Sequence, residues 1–396
     1  MSKLLIRNAT IVSLDGLLEG HAVLCEAGKI IRVAPSSQLV RERADEVVDA
    51  AGCYLAPGFI DLHLHGTGPF LVDNGSPDVE EICKLLPRYG VTGFLPTVAA
   101  PRPPSEDKRF ISSLSGIRSP GAEILGFHFE GPFLSLTGAI PPEALSAADP
   151  DRVRQMIESS RPYPAIFSIS PEFDGVLDLI PIMAQNGTPV FMTHTAANVE
   201  QTQAAIDAGV RHATHFYDVF PSPPVTEPGA RPCGAVEAVL ADPRVSVDFI
   251  LDGEHVQPVA LKMALQCKGP AGVCLITDAN IGAGLPPGKK FRFGTYDVVF
   301  AYEGGPARIT DNGPLPGGLA GSGLTLDAAV RNAVRLLGVG LPQAVRMASA
   351  NPARVLHLEG SKGRVGEGFD ADFVLLSKEL RVKKTWVGGE PRFAME

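Results

Sequence analysis

The chain has 396 residues, 45% hydrophobic and 20% charged, with a formal net charge of −9 at pH 7. This balance describes a globular protein long enough for one large domain and a smaller one, and it excludes a disordered chain. Scattered Lys and Arg on an acidic background exclude a protein that wraps nucleic acid. No run of 18 apolar residues predicts a membrane span, and Met1-Ser2-Lys3-Leu4-Leu5-Ile6-Arg7-Asn8 turns polar too soon for a signal peptide, so the expected location is cytoplasmic.

Residues 1–56 carry short strand-like pieces, Leu4–Ile6, Ala22–Cys25, Lys29–Val33 and Glu46–Asp49, separated by turn signals such as Asp15-Gly16 and Ala27-Gly28-Lys29. The tail from 359 to 396 has the same texture, with strands at Phe373-Val374-Leu375-Leu376 and Val382–Val387 and a tight turn at Gly388-Gly389. Both ends are therefore expected to build one small β-sandwich domain, 1–56 plus 359–396, around a larger one spanning 57–358.

Within 57–358 the pattern becomes strand, loop, helix, repeated. Eight strands are predicted: Phe59–His65, Gly93–Val98, Glu123–Glu130, Ile166–Glu172, Pro189–His194, His212–Tyr217, Ser246–Gly253 and Val273–Ala279. Amphipathic segments follow most of them, among them Val199–Ala208, Val256–Cys267 and Leu324–Leu337. Eight such units over about 300 residues predict an α/β fold of the (β/α)8 TIM-barrel type. A doubly wound open sheet is the rival, but no G-x-G-x-x-G turn follows the first strand. Lys289–Pro316, rich in Gly pairs, is expected to be an inserted hairpin over the barrel top.

Active sites of such barrels form at the C-terminal ends of the strands. His63 and His65 end strand one two residues apart, so both rings face one way. Glu130 ends strand three, His194 strand five, His215 strand six and Asp278 strand eight, while His255 follows strand seven. Five of the nine histidines thus fall at one rim, and neutral imidazole is a common ligand of catalytic metals. His128 and His212 lie deeper and are expected to be packed, hydrogen-bonded barrel residues; nothing suggests a ligand role for His21 or His357. The six cysteines have no C-x-x-C spacing and are expected to be reduced and mostly buried.

These stretches resemble a known family. Pro57-Gly58-Phe59-Ile60-Asp61-Leu62-His63-Leu64-His65-Gly66, Gly126-Phe127-His128-Phe129-Glu130-Gly131-Pro132-Phe133, Thr214-His215-Phe216-Tyr217-Asp218, Asp252-Gly253-Glu254-His255, Thr277-Asp278-Ala279 and Leu319-Ala320-Gly321-Ser322 are similar to motifs of the N-acetylglucosamine-6-phosphate deacetylases, in the amidohydrolase superfamily. The resemblance implies a divalent metal, one or two ions, with zinc or iron suiting imidazole and carboxylate ligands. It implies that Glu130, His194 and His215 hold one ion and that His63, His65, Glu130 and Asp278 complete a second site. Many two-metal relatives bridge their ions with a modified lysine on strand four; no lysine occurs here between Lys108 and Lys262, and Glu130 takes that place. Asp278 is the expected catalytic acid/base, because an amine leaving group must be protonated as the C–N bond breaks. The resemblance also implies a small-molecule substrate, a homodimer, and substrate contact by His255, Leu319 and Ala320.

The substrate-reading positions depart from the family pattern. Ile140 stands where the family has a polar side chain, Asp218-Val219 replaces an Asn-Ala pair, and Thr226 replaces an arginine that reaches the sugar phosphate across a dimer interface. Arg231 is a possible compensation. Amide hydrolysis is therefore expected more firmly than a phosphorylated substrate, and an unphosphorylated N-acyl sugar or other N-acyl compound is the alternative. A cyclic-amide hydrolase or deaminase on the same barrel is a further reading, disfavoured by the missing lysine and the Glu-Gly-Pro motif. An inactive scaffold is disfavoured because the ligand positions are all kept.

Overall fold

The computed structural model describes residues 3–99, 102–313 and 315–395. Eight parallel strands make its centre: Phe59–Leu64, Val91–Val98, Phe127–Glu130, Ala165–Ile169, Val190–Met192, Val210–Ala213, Ser246–Ile250 and Val273–Ile276. A parallel bridge between Leu64 and Ala279 joins the first strand to the eighth and closes the barrel. All residues of Phe59–Leu64, Val91–Val98 and Ala165–Ile169 are buried, as strands covered on both faces must be. The eight expected strands are all present. Several are shorter than the sequence pattern suggested, so that His65, His194, His215 and Asp278 lie just beyond the strand ends.

The outer helices follow from local signals. Asp149 caps Pro150–Ser160 by accepting from the amides of Asp151 and Arg152, with proline in the first turn. Asn198 and Gln201 form a capping box at the start of Val199–Ala208, and Gly209 ends it. Apolar residues at helical spacing, such as Ile111 and Leu114 or Val153 and Met156, turn inward onto the strands. The segment expected as one helix from Leu324 to Leu337 is an α-helix, Leu326–Asn332, continued by a π turn, Ala333–Leu337.

The sandwich expected of the two chain ends takes the form of one mixed eight-stranded sheet. Its hydrogen-bonded order is Glu390–Ala394, Val382–Val387, Phe373–Leu376, Tyr54–Pro57, Lys3–Ser13, Gly16–Glu26 and Lys29–Pro35, with Glu46–Asp49 paired parallel to Lys3–Ser13. Leu4, Ile6 and Ile11 from one end share an apolar cluster with Phe373 and Trp386 from the other. Gly388 and Gly389 both have positive φ (57° and 78°), which the two-residue hairpin between the last strands requires.

The inserted hairpin is larger than expected. Lys290–Phe293, Tyr296–Phe300, Pro306–Ile309 and Leu319–Ser322 form a four-stranded antiparallel sheet with its own apolar cluster of Phe291, Phe293, Tyr296, Val298 and Ile309. Pro314, inside the expected hairpin, lies outside the described residues. Ser322 bridges back to Ala279, so this sheet is anchored beside the eighth barrel strand. Among the described residues, all six cysteines are free; Cys25, Cys83 and Cys274 are buried, whereas Cys233 and Cys267 are exposed, contrary to the expectation for the set. No helix among the described residues is long and apolar enough to cross a membrane.

Candidate functional site

The strand ends bring His63, His65, Glu130, His194, His215 and Asp278 to one rim, each at most 6% exposed. Glu130 lies at the centre. Its Oε1 is 3.1 Å from His194 Nε2 and 2.9 Å from His215 Nε2, while its Oε2 is 3.2 Å from His65 Nε2 and 3.6 Å from His63 Nε2. Asp278 Oδ1 stands 3.4 Å from both His63 Nε2 and His65 Nε2. One carboxylate oxygen thus faces each histidine pair.

Three of these residues pass through the left-handed region: His194 (φ 49°), His215 (φ 34°) and Asp278 (φ 45°). Such backbone costs on the order of 1–3 kcal/mol per residue and persists only where neighbours over-determine it. Here they do. The His194 carbonyl accepts from Ser170 Oγ at 2.7 Å, the His215 amide donates to Asp248 Oδ1 at 2.5 Å, and Asp278 donates its amide to His63 O while accepting from Ser322 N. The turn immediately after each strand aims the side chain across the barrel mouth.

The hydrogen bonds behind the rings test whether this set fits a cation. His194 Nδ1 donates to the Leu136 carbonyl at 2.9 Å, which puts a bare Nε2 lone pair opposite Glu130. Thr214 gives its hydroxyl proton to Asp248 and so accepts from His63 Nδ1 at 3.2 Å, leaving His63 Nε2 likewise bare toward Glu130 and Asp278. Lone pairs aimed at carboxylate oxygens need a positive charge between them. The separations also match a tetrahedral ligand shell, whose edge is about 3.4 Å for metal–ligand bonds of about 2.1 Å. Two subsets, His63 with Glu130 and His215, and His63 with His65 and Asp278, bring their donor atoms within 4.8 Å of one another. The residues fit a divalent metal.

Burial disfavours a charged ring at His65, yet Asp278 and Glu130 outweigh it and push the pKa up to about 10. Burial is likewise outweighed by Glu130 at His215, pushed up to about 10. Burial would raise the Glu130 carboxyl, but His63, His194 and His215 hold it well below the usual range. A ligand set that attracts protons this strongly attracts a metal for the same reason, and must release those protons to take it.

Beneath the rim lies a second set of polar groups. His128 donates from Nδ1 to Leu62 O and meets Ser168 Oγ at 2.9 Å, and burial keeps its pKa well below the usual value. His212 pairs with Ser246 and Asp248. Asp61 accepts from the Thr277 hydroxyl at 2.7 Å and the His63 amide at 3.3 Å, and its complete burial pushes its carboxyl up to about 7. Asp61 shares the face of His63 by its spacing of two, a signal overlooked in the sequence; Asp248 was hidden inside the apolar run Val247–Ile250.

A cavity of about 250 Å³ opens onto these residues. Ile140, Asp218, Val219, Leu319 and Ala320 line it, together with Asn280, Phe293 and Leu315, which sequence patterns did not single out. Thr226 and Arg231 lie elsewhere, on an exposed stretch where Arg231 pairs with Glu237 at 3.0 Å. His255 is also off the cavity wall; its Nδ1 is 2.7 Å from Asp252 Oδ2, and its buried Nε2 has no partner among the described residues. A larger cavity of about 440 Å³ opens at the other end of the strands beside Arg211, Arg244, Lys268 and Arg354. Each of those cations is already engaged by a backbone carbonyl or by Asp242, so size does not outweigh chemistry.

The chain is similar to known proteins over nearly its whole length. The model of the amidohydrolase family matches residues 54–392. An N-acetylgalactosamine-6-phosphate deacetylase of Escherichia coli O157:H7 is 34% identical over 97% of this chain and 98% of its own. An N-acetylglucosamine-6-phosphate deacetylase of Lysinibacillus sphaericus is 31% identical over 98% and 97%. Among solved structures, a mutant N-acetyl-D-glucosamine-6-phosphate deacetylase from Mycobacterium smegmatis, in complex with N-acetyl-D-glucosamine-6-phosphate, superposes with a TM-score of 0.87 at 30% identity, covering all of both chains.

Proposed function

Because the chain belongs to the amidohydrolase family, we propose that it is a metal-dependent deacetylase that hydrolyses the N-acetyl amide of an amino sugar, with N-acetylglucosamine 6-phosphate and its galactosamine counterpart as the reference substrates. The observation that carries this reading is the placement of Glu130, one oxygen toward His194 and His215 and the other toward His63 and His65.

Glu130, His194 and His215 would hold one divalent ion, zinc or iron, and His63, His65 and Asp278 would serve a second. When bound, the metal supplies Lewis acidity, making water acidic enough to yield hydroxide near neutral pH and polarising a carbonyl. The rest is done by the chain's own groups. Asp278, fixed at its backbone by His63 and Ser322, takes the proton of the attacking water and delivers it to the amide nitrogen. The C–N bond breaks as that nitrogen is protonated, giving acetate and a free amine. Phe293, Leu315 and Leu319 wall the cavity with apolar surface that limits bulk water near the reacting groups.

The division into 1–56 plus 359–396 and 57–358, a homodimer and a cytosolic location complete the reading, all three from the family resemblance and the sequence pattern. The test is metal content measured together with acetate release from N-acetylglucosamine 6-phosphate and N-acetylgalactosamine 6-phosphate, with a hydantoin and an aminopurine as controls. Acetate release that tracks metal content is expected. Turnover of a control alone would replace the reading with a cyclic-amide hydrolase or deaminase.

A further inference from the structure

The cavity wall away from the candidate ligands has one charged group, and it is acidic. Among the described residues, no Lys or Arg lines the cavity, and Asp218 is its only carboxylate outside the ligand set. The other polar wall residue is committed: Asn280 donates to Ala320 O at 2.8 Å and accepts from Ile281 N at 2.7 Å. The rest of that wall is Gly138, Ala139, Ile140, Val219 and the residues of the inserted sheet. Asp218 donates its backbone amide to His215 O, which fixes its position three residues beyond a candidate ligand, while its carboxylate has no hydrogen-bond partner among the described residues.

A recognition site for a phosphate needs hydrogen-bond donors or cations converging on it. This wall offers the reverse, an acceptor-only anion set in apolar surface. Such a group orients a donor, a sugar hydroxyl or an ammonium, and repels a phosphate dianion in a cavity where screening is weak. Building on the deacetylase reading above, we infer that Asp218 determines specificity, and that it selects an N-acetyl sugar with a free hydroxyl or ammonium group at the end remote from the acetyl over its 6-phosphate ester. A cation could also reach the cavity from a second copy, because Arg231 is exposed and in its own chain pairs with Glu237 outside the cavity.

The experiment compares kcat/KM of the metal-loaded enzyme for N-acetylglucosamine and N-acetylgalactosamine, each with and without the 6-phosphate, in the parent and in Asp218→Asn. Thermal melts check that the variant is folded. The parent is expected to prefer an unphosphorylated sugar at least tenfold, and Asp218→Asn to narrow or invert that preference by both lowering the first rate and raising the second. A tenfold or greater preference of the parent for a 6-phosphate overturns the inference. If Arg231→Ala then removes that preference, the phosphate is held by a second copy's arginine. Calorimetric binding of glucosamine and glucosamine 6-phosphate decides the matter independently of turnover: tighter binding of the phosphate overturns it, and tighter binding of the free sugar that Asp218→Asn abolishes supports it. Absence of acetate release from all four sugars would refute the deacetylase reading, with the binding comparison still judging Asp218.

Discussion

Asp248 touches no candidate ligand atom, yet its substitution by Asn is expected to weaken metal binding. Its carboxylate is fully buried, with Oδ2 at 2.8 Å from His212 Nε2 and 3.0 Å from Thr214 Oγ1, and Oδ1 at 2.5 Å from the His215 amide. Through Thr214 it decides which nitrogen of His63 carries the proton, and through the amide it holds the left-handed turn at His215. Asn keeps the acceptor for the amide but places a donor where His212 and Thr214 now donate. Losing a buried hydrogen bond to a charged group costs about 1.5–3 kcal/mol, and groups that orient metal ligands typically change affinity by about 10–100-fold, or roughly 1.4–2.7 kcal/mol. The two estimates coincide. Asp248→Asn should therefore lose metal to a competing chelator at a concentration about 10–100-fold lower than the parent requires, read by elemental analysis after equilibration. A variant that melts earlier yet retains metal within twofold of the parent would refute the reasoning, since Asp248 would then matter to packing alone.

Asp278→Asn should reduce acetate release to less than a tenth of the parent rate while leaving metal at Glu130, His194 and His215, measured by turnover and metal content on one preparation; activity above a tenth would remove Asp278 from the proton-transfer role. Gly321 has φ +69°, and a Cβ there would lie 2.7 Å from the Asp278 carbonyl oxygen, so Gly321→Ala should cost at least tenfold in kcat with little change in metal content. Lys362 joins Glu123 of the barrel side to Asp370 and Asp372 of the tail at 2.6, 3.0 and 2.8 Å, with its own side chain 10% exposed. Lys362→Met, which leaves the buried Asp372 without its cation, should destabilise the fold by about 3 kcal/mol, seen as a lower melting temperature. Burial opposes ionisation of Asp370, but Lys29 and Lys362 outweigh it and hold its pKa below the usual value, so its contribution is present above about pH 4 and is lost as pH falls further. Burial is likewise outweighed at Lys362, whose pKa is raised by Asp372 and Glu123; its contribution is lost only as pH rises beyond about 10. The melting deficit of the variant should therefore be full at pH 7 and shrink near pH 3.

Much of this architecture was legible because barrel strands are buried on both faces and so read as short apolar runs at regular intervals. His63 and His65 were visible through the period of a strand, and His194, His215 and Asp278 through their place at the end of such runs. The turn that aims the last three was not visible, because a left-handed backbone at a histidine or aspartate leaves no mark in composition. Asp61 and Asp248 were passed over because one acid within an apolar run looks like noise until its partners, Thr277, Thr214 and His212, are brought beside it by pairing across the barrel. The positions of Thr226 and Arg231 depend on a loop whose course no periodicity specifies. The four-stranded insertion exceeds the hairpin that the sequence predicts for a related reason: Leu319–Ser322 is dominated by small residues, which carry no strand pattern.

The contact between the first and eighth strands gains a further meaning from the residues that make it. His63 O accepts from Asp278 N, His65 N donates to Ala279 O, and Asp61 grips Thr277 from below, so the seam of the cylinder is stitched by the very positions that would grasp an ion, or by their immediate neighbours. An ion seated there would act as a clasp on that seam. Amide hydrogens along Leu64 and Ala279 would then report whether the clasp is fastened, and loss of the ion would loosen the closure of the cylinder along with the chemistry.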